Sequence, residues 1–305
     1  MEKQLAAEKK DVIIIGKGPA GLQAAIHAAR RKVTTLVLGR LNRSSAFDSH
    51  IDNFCCVDGK NGTDILKQAH LKAEESGAVL LEEDIVELSS SEGLFSVETD
   101  TGRKLRSSAL ILAMGVHRNK LGVKGEKELL GRGVSYCVDC DGGFFRDEVV
   151  AIVGDESAAV AGALVLLFYA KEVHLICDKM DVADSLAEKV KSSSVKVHEG
   201  KRVVQILGDS KVEGVALNDG NKISASGVFI ELGAKGAVAL AGKLGVELDR
   251  ETMKYIAVNR KQETSVPGIY AAGDICGPPW QVAKAVGEGC VAGLEAAAYA
   301  KKQKS

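Results

Sequence analysis

Residues 11–21 read DVIIIGKGPAG, and this stretch decides the fold prediction. The segment 11–15, which is β-branched from Val12 onward, predicts a short buried strand, and the glycines after it have the spacing GxGxxG. An alanine-rich helix at 20–30 and a further strand at 33–38 complete a βαβ unit. In such a unit the first glycine permits the turn, the second admits a pyrophosphate, and the third lets helix and strand pack. The stretch therefore predicts a dinucleotide site.

The part of this motif that binds ribose is missing. An acidic residue about 20 residues after the glycines normally accepts a hydrogen bond from the adenosine ribose. Here the second strand ends with Leu38, Gly39 and Arg40.

A second βαβ unit is predicted in the middle of the chain. It comprises a strand at 149–153, an apolar helix at 158–169 and a strand at 173–176. Each unit is followed by a set of short strands, so the architecture is predicted to be duplicated. We expect an α/β protein with two Rossmann-like, three-layer ββα domains.

The second domain is expected to be inserted in the first. The predicted boundaries are 1–115 and 237–305 for the first domain and 116–236 for the inserted domain. The chain of 305 residues is long enough for two such domains.

Composition excludes several other classes of protein. Hydrophobic residues make up 46% and charged residues 27%, which is typical of globular proteins and not of disordered or collagen-like chains. The net charge is −1, so neither a nucleic-acid partner nor an anionic membrane is expected. The first ten residues are charged and no apolar run reaches membrane-spanning length. We therefore expect a cytoplasmic protein.

Cys137 and Cys140 form a CxxC motif, followed at once by Asp141. No second cysteine pair or histidine pair stands at zinc-like spacing, so a redox dithiol is favoured over a metal site and no metal is expected. Asp141 is suited to donate a proton to a leaving thiolate. The alternative is that both cysteines are ordinary core thiols. That is the expectation for the remaining cysteines, which are Cys55, Cys56, Cys177, Cys276 and Cys290.

Three ordered motifs together resemble the low-molecular-weight thioredoxin reductases. They are the glycine motif at 16–21, the sequence YCVDCDG at 136–142 and the sequence AAGD at 271–274. The flanking segments 131–135 and 142–145 extend the resemblance. It implies a homodimeric flavoprotein that binds FAD in the first domain, carries the dithiol on the inserted domain, and reduces a thioredoxin-like protein.

The resemblance also implies roles for individual residues. Cys140 would face the flavin, Cys137 would attack the partner disulfide, and Asp141 would act as general acid. Trp280 stands where the family has an arginine, and its indole is expected either to stack on a ring of FAD or simply to pack. The expected FAD contacts are Gly16, Gly18, Pro19, Ala20, Gly21, Asn53, Ala113, Gly273, Asp274, Trp280, Gln281 and Val282.

The second nucleotide motif departs from the family. Glu156 occupies the position of the second glycine, and Cys177, Asp178 and Lys179 replace a His-Arg-Arg cluster that would hold the 2′-phosphate of NADPH. Two carboxylates would face the nucleotide phosphates, so NADPH is not expected to bind. Two alternatives remain: Asp178 accepts from the ribose of NADH, or these charges are solvated residues on an emptied site.

These departures resemble the branches of the family that do not use pyridine nucleotides. Those branches are the ferredoxin-linked thioredoxin reductases and the diflavin-linked disulfide oxidoreductases, and the latter hold a second FAD. The leading hypothesis is an FAD-dependent disulfide oxidoreductase supplied by ferredoxin, flavodoxin or another carrier. The alternatives are an NADPH- or NADH-dependent thioredoxin reductase, an oxygen-dependent dithiol oxidase, and a flavin redox sensor without catalysis.

Overall fold

The computed structural model describes residues 7–55, 57, 60–91, 93–115, 120–232, 242–250 and 255–304. The chain forms two compact units. The first unit comprises Met1–Thr99, Arg103–His117 and Leu240–Ser305, and the second comprises Asp100–Gly102 and Arg118–Ala239.

Strands and helices carry numbers that follow the chain through both units, and those of the first unit come first. Its strands are β1 (Glu8–Ile15), β2 (Thr35–Leu38), β3 (His50–Ile51), β4 (Lys60–Asn61), β5 (Val79–Leu81), β6 (Ile85–Ser91), β7 (Leu94–Thr99), β8 (Lys104–Leu112) and β17 (Ile269–Ala271). Its helices are α1 (Pro19–Arg30), α2 (Gly62–Glu75) and α6 (Val282–Lys302).

The main sheet of the first unit has the strand order β5-β2-β1-β8-β7-β6, and β17 also pairs with β8. Strands β5, β2, β1, β8 and β17 run parallel, whereas β6, β7 and β8 form an antiparallel meander. Val12, Ile13 and Ile14 of β1 are fully buried, as expected for a central strand covered on both faces. This order brings the carboxyl ends of β5, β2 and β1 to one edge.

Helices α1 and α6 pack closely on the first unit. Their contact consists of small residues, and a Cβ atom at Gly289 or Gly293 would overlap the carbonyl oxygen of Ala20 or Ala24, respectively. These glycines let α6 lie against α1 at backbone distance. Helix α1 is thereby held between the sheet and α6.

The second unit contains a parallel sheet and a separate meander. Its strands are β9 (Val134–Ser135), β10 (Val149–Val153), β11 (Glu172–Cys177), β12 (Lys196–Glu199), β13 (Val203–Leu207), β14 (Gly214–Leu217), β15 (Lys222–Ser224) and β16 (Gly227–Ile230). Its helices are α3 (Val138–Asp141), α4 (Ser157–Leu166) and α5 (Asp184–Lys191). The parallel order is β12-β11-β10-β16-β9, and β13-β14-β15 form the antiparallel meander.

The predicted fold class is confirmed, since both units combine a parallel sheet with helices and a meander. Several boundaries differ from the predictions by one to three residues, and two of these differences have a visible cause. Strand β1 begins at Glu8 because its exposed charged start pairs with β8, a partner that periodicity does not reveal. Helix α4 ends at Leu166, before the predicted 169, where the Tyr169 carbonyl accepts from the N–H of Asp147. Among the described residues, no helix is both long and apolar enough to cross a bilayer.

Candidate functional site

The glycine loop of the first unit joins β1 to α1. Gly16 has a φ of +113°, and a Cβ there would overlap the carbonyl oxygen of Ala113 at the end of β8. A Cβ at Gly21 would overlap the carbonyl oxygen of Gly16. Side chains at these two positions would therefore push the loop off the sheet edge or separate helix from strand.

The N-terminus of α1 is open to an anion. Gly18 is its N-cap, no side chain caps the helix, and the first turn carries no acid. Pro19 occupies the first helical turn, where its missing N–H costs nothing. The remaining first-turn N–H groups and the helix dipole are suited to a pyrophosphate. This cradle fits the diphosphate of FAD.

A second group of predicted FAD contacts lies after β17. Gly273 adopts a φ of +86°, and Asp274 follows it in a short 3-10 turn. The Gly273 N–H donates to Glu288 Oε2 at 2.8 Å, and Lys284 Nζ donates to the Gly273 carbonyl at 2.9 Å. Glu288 and Lys284 both project from α6, so this helix fixes the turn that carries Asp274. Sequence reasoning missed this pair, whose only signal was an i,i+4 Lys-Glu spacing.

Asn53 and Gln281 lie together in the first unit. Asn53 Nδ2 donates to Gln281 Oε1 at 2.8 Å, although 228 residues separate them. Trp280 is 58% exposed next to Gln281, and Val282 begins α6 half-buried against a small apolar cluster. The indole of Trp280 is therefore accessible to a ligand and is not packed in the core.

The predicted dithiol lies at the start of α3 in the second unit. Cys137 is disulfide-bonded, whereas the side chain of Cys140 is outside the described part of the structure. Ser135, at the end of β9, links the two described site residues. Its hydroxyl donates to Asp141 Oδ2 at 2.6 Å and accepts from the Cys137 N–H at 3.0 Å. Asp141 is thus held beside the backbone of Cys137.

Tyr136, immediately before the dithiol, is anchored by a buried carboxylate. Its hydroxyl donates to Glu126 Oε1 at 2.6 Å, and the N–H groups of Leu121 and Gly122 also donate to Glu126. Burial raises the pKa of Glu126, but these hydrogen bonds outweigh burial and lower the pKa below its usual value. The ionised carboxylate therefore fixes the segment that leads into Cys137.

The nucleotide-like turn of the second unit keeps one glycine role and loses another. Gly154 has a φ of +154°, and a Cβ there would overlap the carbonyl oxygen of Glu231, as at the first glycine of the other unit. Glu156, the N-cap of α4, has nearly the same extended conformation as Gly18 of α1, with ψ of −179° against −177°. A carboxylate thus stands where the first unit leaves its helix N-terminus open.

Further carboxylates gather at the same sheet edge. Asp155 Oδ1 accepts from the N–H of Asp178 at 2.7 Å, and Glu199 ends the neighbouring strand β12. Burial, followed by the charges of Glu199, Asp155 and Asp178, raises the pKa of the Cys177 thiol to about 11. Cys177 is therefore a neutral core thiol in a negative environment.

Comparison with known proteins assigns the chain to a family. Residues 10–289 match the family of pyridine nucleotide-disulphide oxidoreductases. The thioredoxin reductase of Aquifex aeolicus (strain VF5) is 35% identical over 296 residues, covering 93% of this chain and 91% of that protein.

Two solved structures share the fold and the sequence similarity. The atypical thioredoxin reductase TRi from Desulfovibrio vulgaris Hildenborough has a TM-score of 0.83 and 33% identity, covering 96% of this chain and 99% of the other. A ferredoxin-flavin thioredoxin reductase from Clostridium acetobutylicum has a TM-score of 0.69 and 31% identity, covering 98% of this chain and 100% of the other. This chain therefore belongs to the thioredoxin reductases within the pyridine nucleotide-disulphide oxidoreductase family and is a flavin-dependent disulfide oxidoreductase.

Proposed function

We propose that this enzyme reduces a thioredoxin-like protein with electrons from a carrier other than NADPH or NADH. FAD is assigned to the first domain, residues 1–115 and 237–305, and the dithiol to the inserted domain, residues 116–236. The open N-terminus of α1 supports the assignment of FAD to the first domain. One FAD per chain is expected at this cradle. Bound FAD supplies a two-electron redox centre.

The site residues perform thiol-disulfide exchange. Reduction of the Cys137–Cys140 disulfide takes two electrons and two protons and yields two thiols. The Cys137 thiolate attacks one sulfur of the partner disulfide, and Asp141 gives a proton to the thiolate that leaves. Cys140 then attacks Cys137 in the mixed disulfide, which releases the reduced partner and restores the disulfide. Ser135 holds Asp141 next to Cys137 during these steps.

The proposal that nicotinamide nucleotides do not bind rests on Glu156. It occupies the N-cap position of the helix whose N-terminus would bind the pyrophosphate, and Asp155 and Asp178 add negative charge at the same edge. Two like charges 4 Å apart repel by about 1 kcal/mol in water and about 4 kcal/mol near a protein surface. A dianionic pyrophosphate would meet several such contacts. NADPH adds a further phosphate where Asp178 stands.

The electron donor is proposed to be a reduced ferredoxin. The solved ferredoxin-flavin thioredoxin reductase of Clostridium acetobutylicum, 31% identical to this chain, supports this class of donor. A flavodoxin is the alternative carrier of the same kind. Either carrier would deliver one electron at a time, so two molecules of reduced carrier are oxidised for each disulfide that is reduced.

Anaerobic reduction of the purified enzyme tests the proposal. With NADPH or NADH in excess, the absorbance of the oxidised flavin should persist for minutes, whereas reduced ferredoxin or dithionite should bleach it. An NADPH-dependent thioredoxin reductase, bleached by NADPH in the same cuvette conditions, serves as the positive control. Rapid bleaching of this enzyme by either nicotinamide nucleotide would refute the proposal.

A further inference from the structure

The first unit contains a buried lysine within its glycine loop. Lys17 is 2% exposed, and its ammonium lies 2.6 Å from Glu82 Oε1. An ammonium removed from water requires a close counter-charge. Glu82 supplies that charge, so the two side chains hold each other in a defined place beside the loop.

The carboxylate of Glu82 lies between two loops that border the nucleotide site. Glu82 follows β5, which pairs in parallel with β2 in the register Leu38↔Leu81. Oε1 accepts from Lys17, in the loop after β1, and Oε2 accepts from the N–H of Leu41, after β2, at 3.4 Å. The Glu82 side chain is 55% exposed, so a ligand over this edge can reach it.

Strand β2 itself offers no acid at this edge. It ends at Leu38 and is followed by Gly39, whose φ is +134° and whose added Cβ would lie 3.4 Å from the Cα of Gly16. Any other residue there would be strained by this positive φ. The two cations that follow, Arg40 and Arg43, both bind the buried carboxylate of Asp84. Glu82, directly after the adjacent strand β5, therefore offers an exposed carboxylate beside the end of β2, where the ribose acid is expected.

We propose that Glu82 binds the adenosine ribose of FAD and that Lys17 positions its carboxylate. The ribose hydroxyls donate, and each carboxylate oxygen retains a lone pair beyond its present hydrogen bond. The charge missing from β2 is thus supplied from β5. This inference rests on the proposed binding of FAD in the first unit.

Binding of FAD and of a ribose-modified analogue tests the role of Glu82. Full-length protein freed of flavin is titrated with FAD, or with an analogue whose adenosine ribose lacks both hydroxyls, and quenching of flavin fluorescence is followed. The wild type should bind the analogue about tenfold more weakly than FAD, the effect of one hydrogen bond to a charged group. In Glu82→Gln this discrimination should fall to about twofold.

Glu75→Gln is the matched control, because Glu75 is also half-exposed and pairs with one lysine, Lys72, at 2.9 Å. It should retain the wild-type affinities and discrimination. The Glu82→Gln variant leaves the buried charge of Lys17 without its partner, and circular dichroism shows whether the variant still folds. If it does not fold, the double variant Lys17→Met/Glu82→Gln removes the buried charge and should also lose discrimination.

Two outcomes separate this inference from the proposed function. Unchanged discrimination in Glu82→Gln, or in the double variant, overturns the role of Glu82 while FAD binding stands. Failure of the wild-type protein to bind FAD at all contradicts the proposed flavin site.

Discussion

At the scale of the residue, Ser135 connects the proposed general acid to the dithiol through one hydroxyl group. Ser135 is 5% exposed, and its side chain contacts both Asp141 and the Cys137 N–H. Replacing it by alanine removes a hydrogen bond to a charged group, worth about 1.5–3 kcal/mol, and frees Asp141 to move away. We predict that Ser135→Ala slows reduction of a thioredoxin disulfide about tenfold or more. Single-turnover kinetics of the prereduced enzyme measure this step.

The control for Ser135 is Ser226, which donates to Glu148 Oε2 at 3.1 Å elsewhere in the second unit. Ser226→Ala should leave the single-turnover rate unchanged. Ser135→Thr keeps the hydroxyl and should restore much of the rate and of its pH profile. Equal rates for Ser135→Ala and the wild type across pH would contradict a positioning role.

At the scale of the element, α6 packs on α1 only because two glycines face it. A Cβ at Gly293 would overlap the backbone of Ala24, in the helix that presents its N-terminus to the proposed pyrophosphate. Overpacking of this kind costs about 1–3 kcal/mol, or more when backbone must move. We predict that Gly293→Ala lowers the unfolding free energy by at least about 1 kcal/mol and weakens FAD retention. Urea unfolding and flavin release on dilution measure the two effects.

Gly287 on the same helix provides the opposite case, since no atom lies within 4 Å of a Cβ built there. Gly287→Ala should raise stability by up to about 1 kcal/mol, because alanine is the better helix former. Similar destabilisation by both substitutions would show that helix contact is not the cause.

At the scale of the whole molecule, each unit contains a buried carboxylate that is stabilised in its ionised form. Burial raises the pKa of Asp11 in the first unit, but hydrogen bonds from Lys304 and Thr34 outweigh it and lower the pKa below its usual value. In the second unit, hydrogen bonds likewise lower the pKa of Glu126 below its usual value. A lowered folded-state pKa contributes stability that is complete above the unfolded-state pKa and is lost as the pH falls through the folded one.

We therefore predict that these two groups contribute a constant amount to the unfolding free energy near neutral pH. As the pH drops below about 4.5, this contribution should decrease. Urea unfolding between pH 3 and about pH 7 measures the slope. Asp11→Asn and Glu126→Gln should each be less stable at neutral pH and show a shallower acid slope than the wild type. An unchanged slope in both variants would contradict these assignments.

The sequence by itself determined what depends on neighbouring residues. The strand, glycine turn and helix at 11–30 follow from residue spacing. The CxxC motif at 137–140 is a local motif, and Glu156 is a local departure from the glycine motif of a nucleotide site. The sequence predicts these features because each depends on residues within one element or turn. A strand has a side-chain period of about two residues, a helix has one of about 3.6, and a tight turn needs glycine at a given position. The fold class and the family resemblance followed from their order along the chain.

Only the tertiary structure decided which distant side chains meet. Glu82 reaches Lys17 because β5 lies beside β2 in the sheet, and Glu288 reaches Gly273 because α6 returns over β17. Ser135 reaches Asp141 because the chain turns between β9 and α3. Periodicity reports only which face of an element is buried, whereas these contacts depend on strand order and on the path of the chain between elements.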